Sequence, residues 1–324
     1  MNEIAGIEIH ILAALVQADV ISGKGWQAIP AAGGLSSRVY LVRRPGQTPA
    51  FTVRLAVPGQ AWRLARQHTL FVELNARCAC IPSWSLLLQS RDLPEGMLLV
   101  HHYISGAPAG LNTVSGAARA ALAHCLACLH AQHRRHYTIW PGLRPASGSR
   151  THLFHDRLKA VKHHTTFSNG LGPERQTRIR ALYASLSSVM LPGDAGWDEG
   201  GFAQLHGDLT LGNMVWNGNS VTLIDWEYSR NGDPAEDLAY LFSEQPVSEE
   251  LSTAFHQSYI AAGGDPNASK RATWYAPLVA LDSALWWGDY HLKHGNDPAA
   301  SQEVLGFIGL AEAGLRGLED VMFS

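Results

Sequence analysis

Leu205–Tyr240 reads LHGDLTLGNMVWNGNSVTLIDWEYSRNGDPAEDLAY, and its polar residues fall at telling intervals. His206 and Asp208 precede Asn213 by a short step, Asp225 ends the apolar run VTLID, and Asp233 and Asp237 close the stretch. At ~5% usage per residue type, H-x-D-x4-N alone arises by chance in roughly one chain of this length in 25. Requiring Asp225 and Asp237 at set distances lowers that to about 1 in 10⁴. Asp233-Pro234 reads as a helix N-cap followed by proline at the first helical position. Residues 203–227 therefore read as two short hydrophobic strands flanking polar loops.

Outward from this stretch the chain divides by period. Ile4, Ile7, Ile11, Leu12, Leu15, Val16 and Val20 recur with helical spacing over 3–20. Residues 26–57 offer three β-rich runs broken by Gly33-Gly34 and Pro45-Gly46. A helix is expected over 60–76, then strands over 83–89 and 96–103. Helices are expected over 113–135, 151–163, 174–190, 248–261, 270–294 and 301–321. The fold class is α+β, with a small antiparallel-sheet N-terminal lobe (1–102, including the N-terminal helix) and a larger, mainly helical C-terminal lobe (103–324). The connector falls near His102–Gly110.

Composition narrows the function classes. The chain has 324 residues, 46% hydrophobic and 16% charged, which excludes intrinsic disorder and allows a sizeable core. With 25 Lys+Arg against 28 Asp+Glu, the net charge of −3 removes the usual electrostatic reason to expect nucleic acid or an anionic membrane as partner. No apolar run reaches the ~18–20 residues of a membrane span. The stretch MNEIAGIEIHILAALVQADVI carries acidic Glu3 and no basic segment before its apolar part, so a cytoplasmic protein is expected. Cys78, Cys80, Cys125 and Cys128 match no common zinc spacing and read as structural thiols.

Phosphoryl transfer asks the protein for positioning and charge neutralisation around a nucleotide and its metal. Magnesium takes hard oxygen ligands, which Asn213 and the strand-end carboxylate Asp225 supply. Asp208 suits the acceptor hydroxyl, whose proton needs a nearby carboxylate. Protein kinases show this layout as H-R-D-x4-N with a metal-binding Asp followed by Phe-Gly. Here Gly207 replaces the Arg and Trp226-Glu227 replaces Phe-Gly, a departure that points to a small-molecule acceptor.

The motifs H-G-D-x4-N at 206–213, I-D-W-E at 224–227 and G-D-P-x-x-D-L-A at 232–239 resemble those of the aminoglycoside phosphotransferase / choline kinase superfamily. GLSS at 34–37, FTVRL at 51–55, ARQHTLF at 65–71, LIDWEY at 223–228 and ALWWGDYHL at 284–292 extend the resemblance over most of the chain, in the direction of the bacterial thiamine kinases. The resemblance implies a protein-kinase-like bilobal fold, ATP with Mg²⁺, and transfer to a hydroxyl. It implies Asp208 as catalytic base, Asn213 and Asp225 as metal ligands, and structural roles for His206 and for Asp237, which would buttress the catalytic loop. Ser36 and Ser37 would fold over the phosphates, Arg54 would take the place of the phosphate-binding Lys, and His102 and Tyr103 would meet adenine through their backbone. An ordinary hairpin turn at Gly33–Ser37 and an outward-facing Arg54 are the structural alternatives. Gln67 stands where such kinases carry a helix Glu, with Glu73 within two turns.

Trp226, Trp274, Tyr275, Trp286, Trp287 and Tyr290 fall towards the acceptor side, with Asp282 and Asp289 among them. Aromatic faces beside a carboxylate suit a cation without ordinary hydrogen-bond donors, such as a thiazolium or quaternary ammonium. Substrate contacts are accordingly expected at Glu227, Trp226, Trp286, Trp287 and Asp289, Glu227 reaching either substrate or metal. Trp286 and Trp287 point about 100° apart on a helix, so at least one is expected to pack inward. The best reading of the acceptor is thiamine, converted to thiamine monophosphate. Choline or ethanolamine and an aminoglycoside are the alternatives within the class, and an inactive nucleotide-binding module is the alternative outside it. The partner is a small-molecule alcohol; oligomeric state is not legible.

Overall fold

Apolar residues at helical spacing in the first twenty positions form α1 (Ile7–Gln17), whose Ile7, Ile11, Ala14 and Leu15 are buried. A computed structural model of the chain describes residues 6–31, 38–57, 59–93, 96–139, 144–192, 196–197, 201–245 and 247–322. Strands β1 (Gln27–Pro30), β2 (Arg38–Arg43) and β3 (Phe51–Leu55) follow. Helix α2 (Ala61–Leu74) comes next, then β4 (Ser85–Gln89), β5 (Met97–His102) and the two-residue β6 (Ala107–Pro108). The main sheet has the order β1-β2-β3-β5-β4 and every pairing in it is antiparallel.

Strand alternation gives this sheet two different faces. Tyr40, Val42, Val53, Leu55, Leu98 and Val100 share one core with the apolar residues of α1. Arg54, lying between Val53 and Leu55 and paired in register with Leu99, takes the opposite face and meets Gln67 of α2. The period of two thus puts a buried cation under a helix rather than in solvent.

Next in the chain come α3 (Gly116–His130), β7 (His133–Arg134), β8 (Tyr137–Ile139), β9 (Arg144–Ala146), α4 (Arg150–Ala160), the short α5 (Thr165–Ser168), α6 (Pro173–Ser188) and β10 (Phe202–Leu205). Ser115 caps α3 and Ser149 forms a capping box on α4, so both starts are set by their own sequence. A hairpin, β11 (Met214–Asn217) and β12 (Ser220–Leu223), precedes β13 (Arg230–Gly232) and helices α7 (Pro234–Glu244), α8 (Glu249–Ala261), α9 (Ala268–Lys293) and α10 (Gln302–Met322). Asp233 caps α7, accepting the Ala235 N–H, with Pro234 in the first turn, as the dipeptide predicts. The α+β class holds: an antiparallel sheet in the N-terminal part and helices through most of the remainder.

Two compact units result, Met1–Pro108 with Met214–Glu227, and Ala109–Asn213 with Tyr228–Ser324. The sequence placed the boundary at 102/103 and left 214–227 in the second lobe; the hairpin instead counts with the first unit. β11 pairs with β6, and the Leu223 N–H donates to the Cys80 carbonyl at 2.8 Å. Residues 203–227 also contain one strand more than expected, because Gly218, at φ +61, turns the chain back within two residues. Cys78 and Cys80 are buried thiols, Cys125 and Cys128 half-buried ones. Among the described residues no helix is long and apolar enough to cross a membrane.

Candidate active site

In the second unit, β10 is buried along its whole length between β13 and β7, and it delivers His206, Gly207 and Asp208 at its end. Gly207 has φ +83, and a Cβ there would run into the Tyr228 carbonyl and the Arg230 guanidinium. That contact is the reason an Arg cannot stand between His206 and Asp208 in this chain. Asp237, fully buried on α7, accepts the His206 N–H and the Gly207 N–H at 2.8 Å each and His130 Nε2–H at 3.2 Å. Burial alone would raise its carboxyl; the His130 bond, the neighbouring imidazoles and the Gly207 N–H outweigh it and hold the group below the ordinary aspartate value. The Asp208 N–H donates to His206 Nδ1 at 3.3 Å, so His206 is a buried acceptor that shapes the turn.

Asn213 Nδ2 donates to Asp208 Oδ2 at 2.8 Å and to the Asp208 carbonyl at 2.9 Å. These two acceptors fix the amide orientation: NH₂ faces Asp208 and Oδ1 faces away, the oxygen that a hard cation requires.

Asp225, in the first unit, has φ +62, a left-handed conformation that Asp tolerates better than most residues. Its Oδ1 accepts from Arg54 Nη2 at 2.8 Å, and Arg54 Nη1 lies 3.5 Å from Gln67 Oε1. A guanidinium already stands on this carboxylate, so the group is placed for a positive partner. Glu73 lies on the exposed side of α2, so Gln67 is the helix residue that meets Arg54. Glu227 is 4% exposed, and its Oε2 is 3.6 Å from Arg63 Nη1. Trp226 is 1% exposed, packs edge-on against Phe71 and donates its indole N–H to the Leu223 carbonyl at 2.8 Å. Trp226, expected at the substrate, is thus placed among core residues.

His102 is exposed and stacks on Trp84, 5.0 Å away. The Tyr103 N–H donates to the Ala50 carbonyl at 2.9 Å, and the His102 carbonyl accepts from His101 Nδ1 at 2.8 Å. Burial lowers His101 to about 4, which keeps its ring neutral at pH 7. Ser36 and Ser37 lie outside the described residues.

On α9, Trp274 and Tyr275 are core residues, whereas Trp286, Trp287 and Tyr290 are half-buried. Trp286 stacks on Tyr290 at 5.7 Å, meets Trp287 edge-on at 5.1 Å, and donates its indole N–H to Tyr228 Oη at 2.9 Å. Neither tryptophan is fully inward, contrary to the helical-wheel expectation.

Asp289 accepts from the Thr166 N–H at 2.8 Å, Thr166 Oγ1 at 3.0 Å, the Thr165 N–H at 3.2 Å and His164 Nδ1 at 2.9 Å. It ties α5 to α9. These bonds end a chain that sequence reasoning missed: Arg230 holds the Gly207 carbonyl and Glu236, Arg157 joins Glu236 to Asp282, and His164 joins Asp282 to Asp289. Positive and negative groups alternate through the buried interior, the arrangement that makes buried charge tolerable. Only the burial of charged types near the G-D-P-x-x-D motif could have hinted at it.

Burial would lower His164, but hydrogen bonds to Asp282 and Asp289 and their charges raise it to about 9. Because the folded value lies above the unfolded ~6.5, this pair of contacts stabilises fully below ~6.5 and is lost as pH rises through about 9. Thermal unfolding midpoints should therefore fall between pH 7 and 10, and His164→Gln should flatten that slope; an unchanged slope would contradict the assignment.

Among the described residues no group of three His, Cys, Asp or Glu side chains could hold a metal. One carboxylate, one amide oxygen and the phosphates of a nucleotide are nonetheless the donor set magnesium uses. Asp225 and Asn213 each carry an oxygen of that chemical type.

Comparison with known proteins gives a consistent family. Residues 27–276 match APH, the phosphotransferase enzyme family. A curated relative, the Protein LicA homolog of Metamycoplasma hominis, is 32% identical over 84 residues, which cover 26% of this chain and 32% of that protein. The chain thus spans about a third of that relative's length. Choline kinase LicA from Streptococcus pneumoniae superposes with TM-score 0.61 at 15% identity, over 95% of this chain and 99% of its own. Macrolide 2'-phosphotransferase MphH from Brachybacterium faecium does so with TM-score 0.54 at 20% identity, over 89% and 91%. The fold is shared by proteins named for unlike acceptors, so acceptor identity has to be argued from side chains.

Proposed function

The chain belongs to the phosphotransferase enzyme family, and from that premise we propose an ATP- and Mg²⁺-dependent kinase that phosphorylates a hydroxyl of a small cationic molecule, thiamine foremost. The observation that carries the transfer reaction is the Asp208–Asn213 contact. One amide both holds the carboxylate in a single rotamer and turns its own oxygen outward.

Asp208 orients the acceptor hydroxyl and receives its proton at a carboxylate oxygen. Asn213 Oδ1 and the Asp225 carboxylate would hold Mg²⁺, and Arg54 would bind phosphate oxygens with its guanidinium. The metal, when bound, neutralises charge on the transferring phosphoryl group. Asp237 keeps the turn from His206 to Asp208 rigid through two backbone N–H groups, so the base is in place before substrate arrives. Ser36, Ser37, His102 and Tyr103 remain proposed nucleotide contacts. At Tyr103 the contact would come through its carbonyl or side chain, because its N–H serves Ala50.

The acceptor assignment rests on Trp286, Trp287, Tyr290 and Tyr228, a cluster of π faces suited to a thiazolium or quaternary ammonium. An aminoglycoside calls instead for carboxylates open to ammonium groups. Asp282 and Asp289 are engaged by Arg157, His164 and Thr166, which disfavours it. Choline or ethanolamine is the second reading, favoured by the same aromatic cluster. Phosphorylation of thiamine, choline, ethanolamine and kanamycin compared in one assay should give the largest kcat/KM for thiamine. A larger value for choline selects the second reading, and nucleotide binding without turnover of any acceptor selects an inactive module.

A further inference from the structure

Arg63, Gln67 and Phe71 stand at i, i+4 and i+8 on α2, one stripe along a single helix face. Each meets the segment Asp225–Glu227 or its immediate partner. Arg63 Nη1 is 3.6 Å from Glu227 Oε2, Phe71 packs edge-on against Trp226 with ring centres 6.2 Å apart, and Gln67 faces Arg54, which holds Asp225. Two turns of one helix therefore meet Glu227 and Trp226 directly, and the turn between them meets Arg54, the partner of Asp225.

Asp225 needs such a grip. Its left-handed backbone is strained for a residue with a side chain and persists only where surrounding contacts impose it. In protein kinases the charge pair that aligns this helix runs from a strand cation to a helix glutamate. Here the helix position opposite the strand cation Arg54 is the neutral Gln67. An ion pair between helix and metal-binding segment is nevertheless present one turn earlier, with the signs exchanged: the cation on the helix, the anion on the segment. The Glu227 side chain is 4% exposed and that of Arg63 18%, so solvent screens the pair only weakly.

We propose that Arg63 and Glu227 are a positioning pair: their contact locks Asp225–Glu227 onto α2 and so sets the placement of the Asp225 carboxylate. Glu227 acts through Arg63, not as a ligand of substrate or metal. The inference rests on the reading of Asp225 as a magnesium ligand.

The test is a charge exchange in the full chain, read by Mn²⁺ titration under electron paramagnetic resonance with a non-hydrolysable ATP analogue, and by kcat and acceptor KM. Arg63→Gln and Glu227→Gln should each weaken Mn²⁺ binding by roughly tenfold and to a similar degree, and lower kcat with acceptor KM unmoved. Arg63→Glu and Glu227→Arg should do more harm singly, and the double exchange should recover to within about threefold of wild type. The proposal is overturned if Glu227→Gln loses Mn²⁺ while Arg63→Gln retains it, since Glu227 would then be a direct ligand. It is overturned equally if neither neutral variant alters Mn²⁺ binding, or if a folded double exchange is no better than the worse single. Should the double exchange not fold, the two neutral variants decide. Wild-type protein that binds no Mn²⁺–nucleotide would refute the kinase reading instead. The pair would then be judged by a double-mutant cycle on thermal midpoints, where zero coupling removes it.

Discussion

Asp208→Asn is expected to lower turnover by roughly 10²–10⁴-fold while nucleotide affinity changes little. The substitution is close to isosteric, and the new side chain keeps an oxygen to accept from Asn213 Nδ2, as Asp208 Oδ2 does at 2.8 Å. The His206–Asp208 turn stays anchored, because its hold on Asp237 runs through the backbone N–H groups of His206 and Gly207. What disappears is the negative charge and the basicity that the acceptor hydroxyl needs as its oxygen becomes a nucleophile. Steady-state rates with the best acceptor, set beside nucleotide affinity from calorimetry, check it. Near-normal turnover would remove Asp208 as base, and an equal loss of nucleotide affinity would indicate a collapsed loop.

Asp225→Asn should be nearly as damaging, with a rate loss on the order of 10³-fold and a weakened Mg²⁺–nucleotide complex. Asn is the informative choice because it shares the tolerance of Asp for a left-handed backbone and can still accept from Arg54. Alanine would add backbone strain to the loss of the ligand. The neutral amide lowers affinity for a divalent ion and leaves Arg54 without the formal charge it meets at 2.8 Å. Raising Mg²⁺ should recover part of the activity in the Asn variant. A rate and magnesium requirement identical to wild type would exclude a metal role for Asp225.

Much of this was legible in the sequence, and the particulars show why. The strands at 51–55 and 97–102 and the helix at 61–74 announce themselves by apolar period. So does the Asp233-Pro234 helix start, because capping is a contact between residues two or three apart. His206, Asp208 and Asn213 lie within one loop, so their spacing carries their contact. At Trp226 the sequence shows an aromatic beside a metal-ligand candidate but not the Phe71 ring packed edge-on against it. The contacts of Asp289 were hidden likewise, since a carboxylate bonded to a short helix more than a hundred residues away leaves no local signature.

Residue order by itself determined the sheet-then-helix plan, the polar run from His206 to Asp237 and the near-balanced charge. These depend on neighbours along the chain and on sums over it. Tertiary structure alone decided that the hairpin at 214–223 counts with the first unit, that Arg54 turns inward onto Asp225, and that Arg63 meets Glu227. Each of those is a pairing across a long stretch of intervening chain. Its partner is selected by shape and by the need to match buried charge, and no periodicity records that selection.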